Sequence, residues 1–313
     1  MKVGMFISDT GGRRSTVEEV AELATWCESA GLASGWVPYL PWSLDAFISL
    51  TIAAGVTERI ELGTAVVPTY PFHPMAMARS ALSVNAVAGG RLALGIGPSH
   101  PSVIESMYGL SYERAASHTK EYVLALRRAF EGDGTAEAHG EFFDYSSIFA
   151  VPGAKSPVLL VAALAPRMLR LAGEHADGTI LWFADETALR DHVVPRITKA
   201  AQDAGRPAPR VLSAMPTAVC DEEEGRAQAA KSFASYTQIP TYQRILARGD
   251  SSGPADVALV GSVEQITERL RRWRDLGVTD FIAAPFPVGD DRDESLRRTR
   301  DGLAEIAATM SSS

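Results

Sequence analysis

The stretch RLALGIGPSH, residues 91–100, joins an apolar run to Gly95 and Gly97 and then to Pro98, Ser99 and His100. A histidine at the end of such a run can give or take a proton, because its ordinary pKa of about 6.5 lies close to neutrality. A dinucleotide fingerprint would need a third glycine where His100 stands, so a Rossmann turn is not expected. A second stretch, AALAPRMLRLAGEHADG (162–178), puts Pro166 in the first turn of a helix, where a missing N–H leaves nothing unpaired. The free amides of Arg167 and Met168, the helix dipole and the Arg167 charge would together make an anion site. His175 and Asp177 near the end of that helix read as capping or pairing residues. A third stretch, ELGTAVVPTYPFHP (61–74), runs a strand into Pro68, Pro71 and Pro74, which cannot donate to a ladder and must end it.

Other chemistries find less support. His73, His100, His118, His139, His175 and His192 form no HExxH motif and no helical pair four residues apart, so no metal site is expected. His118 and Tyr122, four apart in ASHTKEY, read as a packed pair on one helix face. No GxSxG is present to place a nucleophilic serine. Cys27 and Cys220 stand far apart without a CxxC motif and read as free thiols of a reducing cytoplasm.

These residues need a scaffold, and the chain supplies one by alternation. Strand patterns fall at 2–8, 34–38, 59–67, 91–97, 157–163, 178–183, 210–220 and 278–286. Helical patterns fall at 15–31, 45–57, 74–88, 112–131, 166–176, 185–204, 262–277 and 291–309, with a further acidic helix start at 221. The strands are mostly unbroken apolar runs, as expected of strands buried on both faces of a parallel sheet. Eight such units predict a (β/α)8 TIM barrel with insertions in the C-terminal-face loops, as one domain over residues 1–313. A doubly wound open sheet is the alternative. In a barrel, Ser99 and His100 lie on the C-terminal rim, where barrel active sites form, and Gly95 and Gly97 thin the inner wall for a flat ligand. The FFDY piece (142–145) reads as a strand or hairpin, residues 237–258 as irregular, and the serines at 311–313 as frayed.

The 313 residues are 46% hydrophobic and 22% charged, with a net charge of −8. That balance suits a soluble globule and gives no basic face for nucleic acid or a membrane surface. MKVGMFISDT has no long apolar region of a signal peptide, and no apolar run is long enough for a membrane span. A cytoplasmic protein is expected.

ELGTAVVPTYPFHP, RLALGIGPSH, ALAPRMLRLAGEHADGTI and VTDFIAAPF, in this order and spacing, resemble the luciferase-like superfamily over nearly the whole chain. The resemblance is closer to its coenzyme F420-dependent branch. It implies a (β/α)8 barrel with a deazaflavin, or alternatively FMN, in the C-terminal mouth. It implies a non-proline cis peptide at Ala65–Val66, with Thr64, Ala65 and Val66 against the ring. It places Gly97, Pro98, Ser99 and His100 on the ring and substrate side, and Ala165, Pro166, Arg167 and Met168 at the phosphate. Many relatives carry Asp-His after the second strand, where Tyr39 and Leu40 stand here. Sugar-phosphate dehydrogenases of the branch have a glutamate where His100 stands. Both departures, with Trp36, Tyr39 and Trp42 as an aromatic rim, point to a small and fairly apolar substrate. The expectation is an F420-dependent reductase that transfers hydride to an activated C=C or C=N bond, with His100, then Tyr39, as proton donor. An FMN-dependent monooxygenase and a non-catalytic deazaflavin-binding protein are the alternatives, and a homodimer is expected.

Overall fold

In the computed structural model, which describes residues 1–9 and 14–311, eight parallel strands close on themselves. They are β1 (Lys2–Phe6), β2 (Ser34–Val37), β3 (Glu61–Thr64), β4 (Leu92–Gly97), β5 (Val158–Ala162), β6 (Gly178–Trp182), β7 (Arg210–Val219) and β8 (Asp280–Pro285). Each pairs with the next, β8 returns to β1, and β6 pairs β7 to complete the cylinder. This is the (β/α)8 barrel that the alternation predicts, not the open sheet.

The outer ring is α1 (Val17–Ser29), α2 (Ala46–Gly55), α3 (Pro74–Val87), α4 (Ala115–Phe130), α5 (Pro166–His175), α6 (Val194–Asp203), α7 (Val263–Asp275) and α8 (Arg292–Ser311). Local chemistry sets where they start. Thr16 and Glu19 form a capping box on α1, Ser262 and Gln265 another on α7, and Asp45 caps α2 through its carboxylate. Their apolar faces, such as Val20, Ala24 and Cys27 of α1, join one core with the outward residues of the strands. Cys27 is fully buried there, and burial pushes its thiol up to about 12, so it stays a packed thiol. Ser311 ends α8, and Ser312 and Ser313 lie outside the described residues.

Two readings of the chain need correction. Residues 237–258 are not irregular: a 3-10 turn at Ala234–Gln238 leads to helices at Pro240–Leu246 and Pro254–Val257, then to a short strand at Leu259–Gly261. Pro240 and Pro254 open helices at their first turns rather than breaking structure. The strand expected over 59–67 is interrupted after Thr64 and resumes as Val67–Pro68 beside β4. FFDY lies in a hairpin of Thr135–His139 with Asp144–Ile148, in the connection between α4 and β5.

Charges occupy the N-terminal end of the barrel. Arg210, at the start of β7, donates to Glu61 of β3 at 2.8 and 2.9 Å and to Asp280 of β8 at 2.5 Å. Asp280 is almost fully buried, so this cluster survives only because every charge is paired. Arg127 and Arg206 likewise hold Asp177, which also accepts the Leu159 amide, so Asp177 is the structural residue it was read as.

Candidate active site

The barrel interior is filled by Phe6, Trp36, Ala93, Leu160, Ile180, Leu212 and Ile282. Trp36 is fully buried among them, and its indole N–H donates to Ser34 Oγ at 2.8 Å. The expected aromatic rim therefore loses Trp36, which is part of the filling, while Trp42 stays half exposed. Above that filling the inward residues are small: Ala65, Ala162, Ala214 and Ala284, with Trp182 as the large exception. Ala65, Val66, Ala162 and Trp182 are only partly buried, so the wall at the C-terminal end is made largely of small side chains.

The β3 end is built by Thr64. Its Oγ1 donates to the Gly95 carbonyl at 2.7 Å and accepts the Gly95 N–H at 2.9 Å, which stitches two neighbouring strands where the ladder breaks. The Ala65 N–H then donates to the Val37 carbonyl, the Ala65–Val66 peptide is cis, and Thr69 N–H closes the segment on the Gly97 carbonyl. The glycines of β4 answer to this packing. A Cβ on Gly95 would stand 2.1 Å from the Thr64 carbonyl oxygen, and one on Gly97 would stand 2.9 Å from Ala162 Cβ and 3.2 Å from Val66. They let strands approach each other, a reading that the ligand expectation left aside. As a result Val66, Gly97 and Ala162 share one patch of that wall.

Beyond Gly97 the chain turns sharply. Ser99 has φ 62°, a left-handed conformation that costs a non-glycine residue roughly 1 kcal/mol, and Tyr112 donates its hydroxyl to the Ser99 carbonyl at 2.8 Å. His100 follows, with its ring edge-to-face on Tyr242 at 5.3 Å. Its Nδ1 is buried without a partner among the described residues. Burial pushes the imidazole below its ordinary value, so the neutral ring dominates at neutral pH and the acid form is scarcer than the unperturbed value implied. Tyr39 lies elsewhere on the rim, edge-to-face with Phe72 at 5.5 Å and hydrogen-bonded to Tyr108. Burial first, then Tyr108 and Asp45, pushes its phenol up to about 12, so it is an O–H donor at any physiological pH. The two candidate donors thus have different ring neighbours.

The start of α5 is bare. Ala165 is the N-cap, with extended backbone and no side-chain cap, and Pro166 is the first helical residue. The Arg167 and Met168 amides belong to the first turn, where no intrahelical acceptor exists. The Arg167 side chain is exposed, with no ion pair among the described residues, while Met168 packs into the core.

Two residues were missed. Asp185, buried after β6, accepts the Ala188 N–H at 2.8 Å and the Asp250 and Ser251 N–H groups at 2.8 and 3.0 Å. It ties the long β7–α7 connection to the rim, and an aspartate just before a helix was a readable cap signal. His192, also buried, bonds the Leu164 carbonyl just before the α5 start. The other histidines pack or cap: His73 Nδ1 accepts the Met75 N–H, and His118 stacks on Tyr70 and packs near Tyr122 as expected. Among the described residues no three His, Cys, Asp or Glu side chains group as metal ligands, and no helix is long and apolar enough to cross a membrane. A cleft of about 460 Å³ lies between α1 and α8 at the ends of β1 and β8, lined by Phe6, Ser8 and Pro285 among others and by none of the residues named at the β3, β4 and α5 ends.

Residues 1–280 match the family model described as luciferase-like monooxygenase. The chain belongs to that family. As a luciferase-like protein it is 25% identical over 310 residues to the 5,10-methylenetetrahydromethanopterin reductase of Methanolobus tindarius, covering 90% of this chain and 94% of that one. Its fold matches the coenzyme F420-dependent tetrahydromethanopterin reductase of Methanopyrus kandleri with a TM-score of 0.78 at 19% identity, over 99% of both chains. It also matches the oxygenating constituent of 3,6-diketocamphane monooxygenase from Pseudomonas putida, solved with FMN, with a TM-score of 0.77 at 16% identity over 99% and 98% of the two chains. A protein named for coenzyme F420 and one solved with FMN thus share this fold.

Proposed function

We propose that this luciferase-like protein is a coenzyme F420-dependent oxidoreductase that reduces an activated C=C or C=N bond of a small, fairly apolar substrate. The observation that carries the reading is the bare α5 start, with Arg167 exposed and without an ion pair among the described residues, on the C-terminal side of a barrel whose last inward residues are small. The small-residue wall and the amides together suit a flat ring with a phosphorylated tail. Thr64, Ala65, Val66, Gly97, Pro98 and Ser99 would hold the ring, and Ala165, Pro166, Arg167 and Met168 the phosphoryl group. When bound, the reduced deazaflavin supplies a hydride.

The chain's own residues do the rest. Thr64 fixes the β3 end against β4, so the wall does not shift with occupancy. As the substrate's double bond takes hydride at one atom, its electron pair moves to the other atom, which then needs a proton. His100 supplies it from the ring whose Nδ1 lacks a protein partner. Tyr39, held protonated, is the second donor. The β7–α7 connection brings Tyr242 over His100 and acts as a substrate lid that excludes water. On this reading the protein works in the cytoplasm as a homodimer.

The test is retention of F420 or FMN on the purified protein, followed by turnover of reduced F420 with a panel of activated alkenes and imines. Retained F420 and recovery of its oxidised absorbance are expected, and His100→Ala should keep the cofactor while losing about 10²–10⁴-fold in rate. Retention of FMN with oxygen consumption would replace the reading with a monooxygenase. F420 bound without turnover of any compound would leave a binding protein.

A further inference from the structure

We infer that His192 is a positioning residue that holds the α5 amides in place for a phosphoryl group. The inference rests on the reading that those amides bind one. It starts from Pro195, inside a segment otherwise helical from Glu186 to Asp203. Proline has no N–H for the carbonyl four residues back, which is that of Asp191. The Arg196 guanidinium takes that carbonyl instead at 3.1 Å, and the His192 carbonyl at 3.0 Å. The backbone accommodates an extra residue as a π-turn over Leu189–Val193, with the Val194 N–H donating to the Leu189 carbonyl. One extra residue rotates the preceding side chains by about 100° around the helix axis.

His192 lies in that turn, 3% exposed, and Nε2 lies 2.7 Å from the Leu164 carbonyl oxygen. A carbonyl only accepts, so Nε2 carries the hydrogen. Nδ1 is buried with no partner among the described residues, which suits a neutral ring. Leu164 directly precedes Ala165, the N-cap that has no side-chain bond of its own. The other half of α5 is clamped by the same neighbour: a Cβ on Gly173 would stand 2.6 Å from the Ile197 carbonyl oxygen and 2.7 Å from Ala200 Cβ, so α5 and α6 meet backbone to backbone. With one end locked by that approach, His192 sets the direction in which the Arg167 and Met168 amides point.

The experiment compares ligands that share a ring and differ in the phosphate: F420 against its phosphate-free deazaflavin alcohol, and FMN against riboflavin. Affinities are measured for wild type, His192→Ala and His192→Gln. In wild type the phosphorylated member of the preferred pair should bind more tightly. His192→Ala should lose about tenfold of that advantage while its affinity for the phosphate-free member stays within twofold, the size expected for one lost hydrogen bond. His192→Gln, which keeps an N–H of similar reach, should restore most of it. A wild type indifferent to the phosphate overturns the anion-site reading itself. A wild type that prefers the phosphate, with His192→Ala keeping the full preference or weakening both ligands equally, overturns the role of His192.

Discussion

The imidazole of His100, at the end of β4, meets the ring of Tyr242 edge to face, with centroids 5.3 Å apart and planes at 61°. Tyr242 in turn packs against Phe183 at 5.7 Å and Tyr236 at 5.3 Å, and Tyr236 lies 5.7 Å from Trp182. The β7–α7 connection therefore lays an aromatic layer on the β6 end of the rim and over the candidate proton donor. His100 owes its lowered pKa to burial, and Tyr242 is one of the groups packed on its ring.

Truncating that ring gives the first prediction. Tyr242→Ala should raise the His100 pKa toward about 6.5, because water regains access to the charged form. Tyr242→Phe keeps the ring and should leave the titration alone. NMR titration of isotopically labelled histidine reads both, and an unmoved His100 in Tyr242→Ala would show that other groups bury it.

Thr64 is the second case. Thr64→Val keeps the shape but abandons the Gly95 N–H and carbonyl in a fully buried ladder. Each orphaned group costs about 1–3 kcal/mol, so roughly 2–6 kcal/mol of stability should go, with Thr64→Ser losing much less. Urea denaturation of the three proteins measures it, and a stable Thr64→Val would remove the stitch from the account.

Asp185 supports a local prediction. Its carboxylate accepts three backbone N–H groups, two of them from residues 250 and 251. Asp185→Ala should speed amide exchange at Ala188, Asp250 and Ser251 by ten-fold or more, about 1.4 kcal/mol of local opening, while the barrel strands keep their protection. Hydrogen exchange with mass spectrometry resolves the two regions. Unchanged exchange at 250 and 251 would mean the connection is held by its aromatic contacts alone.

His118 predicts acid sensitivity. It is buried, stacked on Tyr70 at 4.0 Å, and burial lowers its pKa to about 4 despite the Glu121 charge nearby. The unfolded chain therefore takes up a proton first as pH falls below about 6.5, and the folded ring does not. The contribution of His118 is full above that pH and is lost as pH drops toward about 4, up to about 3 kcal/mol in all. His118→Gln should flatten this part of the pH dependence of urea denaturation between pH ~7 and ~4.5. A variant with the wild-type slope would assign the acid loss to other groups.

Where the sequence was read correctly, the signal was local. Apolar runs of strand length and Pro166 in a first turn each depend on a few adjacent residues. The cis peptide at Ala65–Val66 came from resemblance, not from propensity. Trp36 was misplaced because β2 is buried along its whole length. A strand buried on both faces has no alternation to say which side chain looks inward.

The sequence by itself determined that eight strands would alternate with helices, and that α5 would begin without a cap. Only the closed barrel decided that Tyr242 covers His100, that Arg210 reaches both Glu61 and Asp280, and that His192 finds the Leu164 carbonyl. Those partners come from different βα units, and their meeting depends on strand order and stagger, which no window of sequence contains. A helical or extended period states how a residue sits on its own element; closure of the cylinder states what it faces.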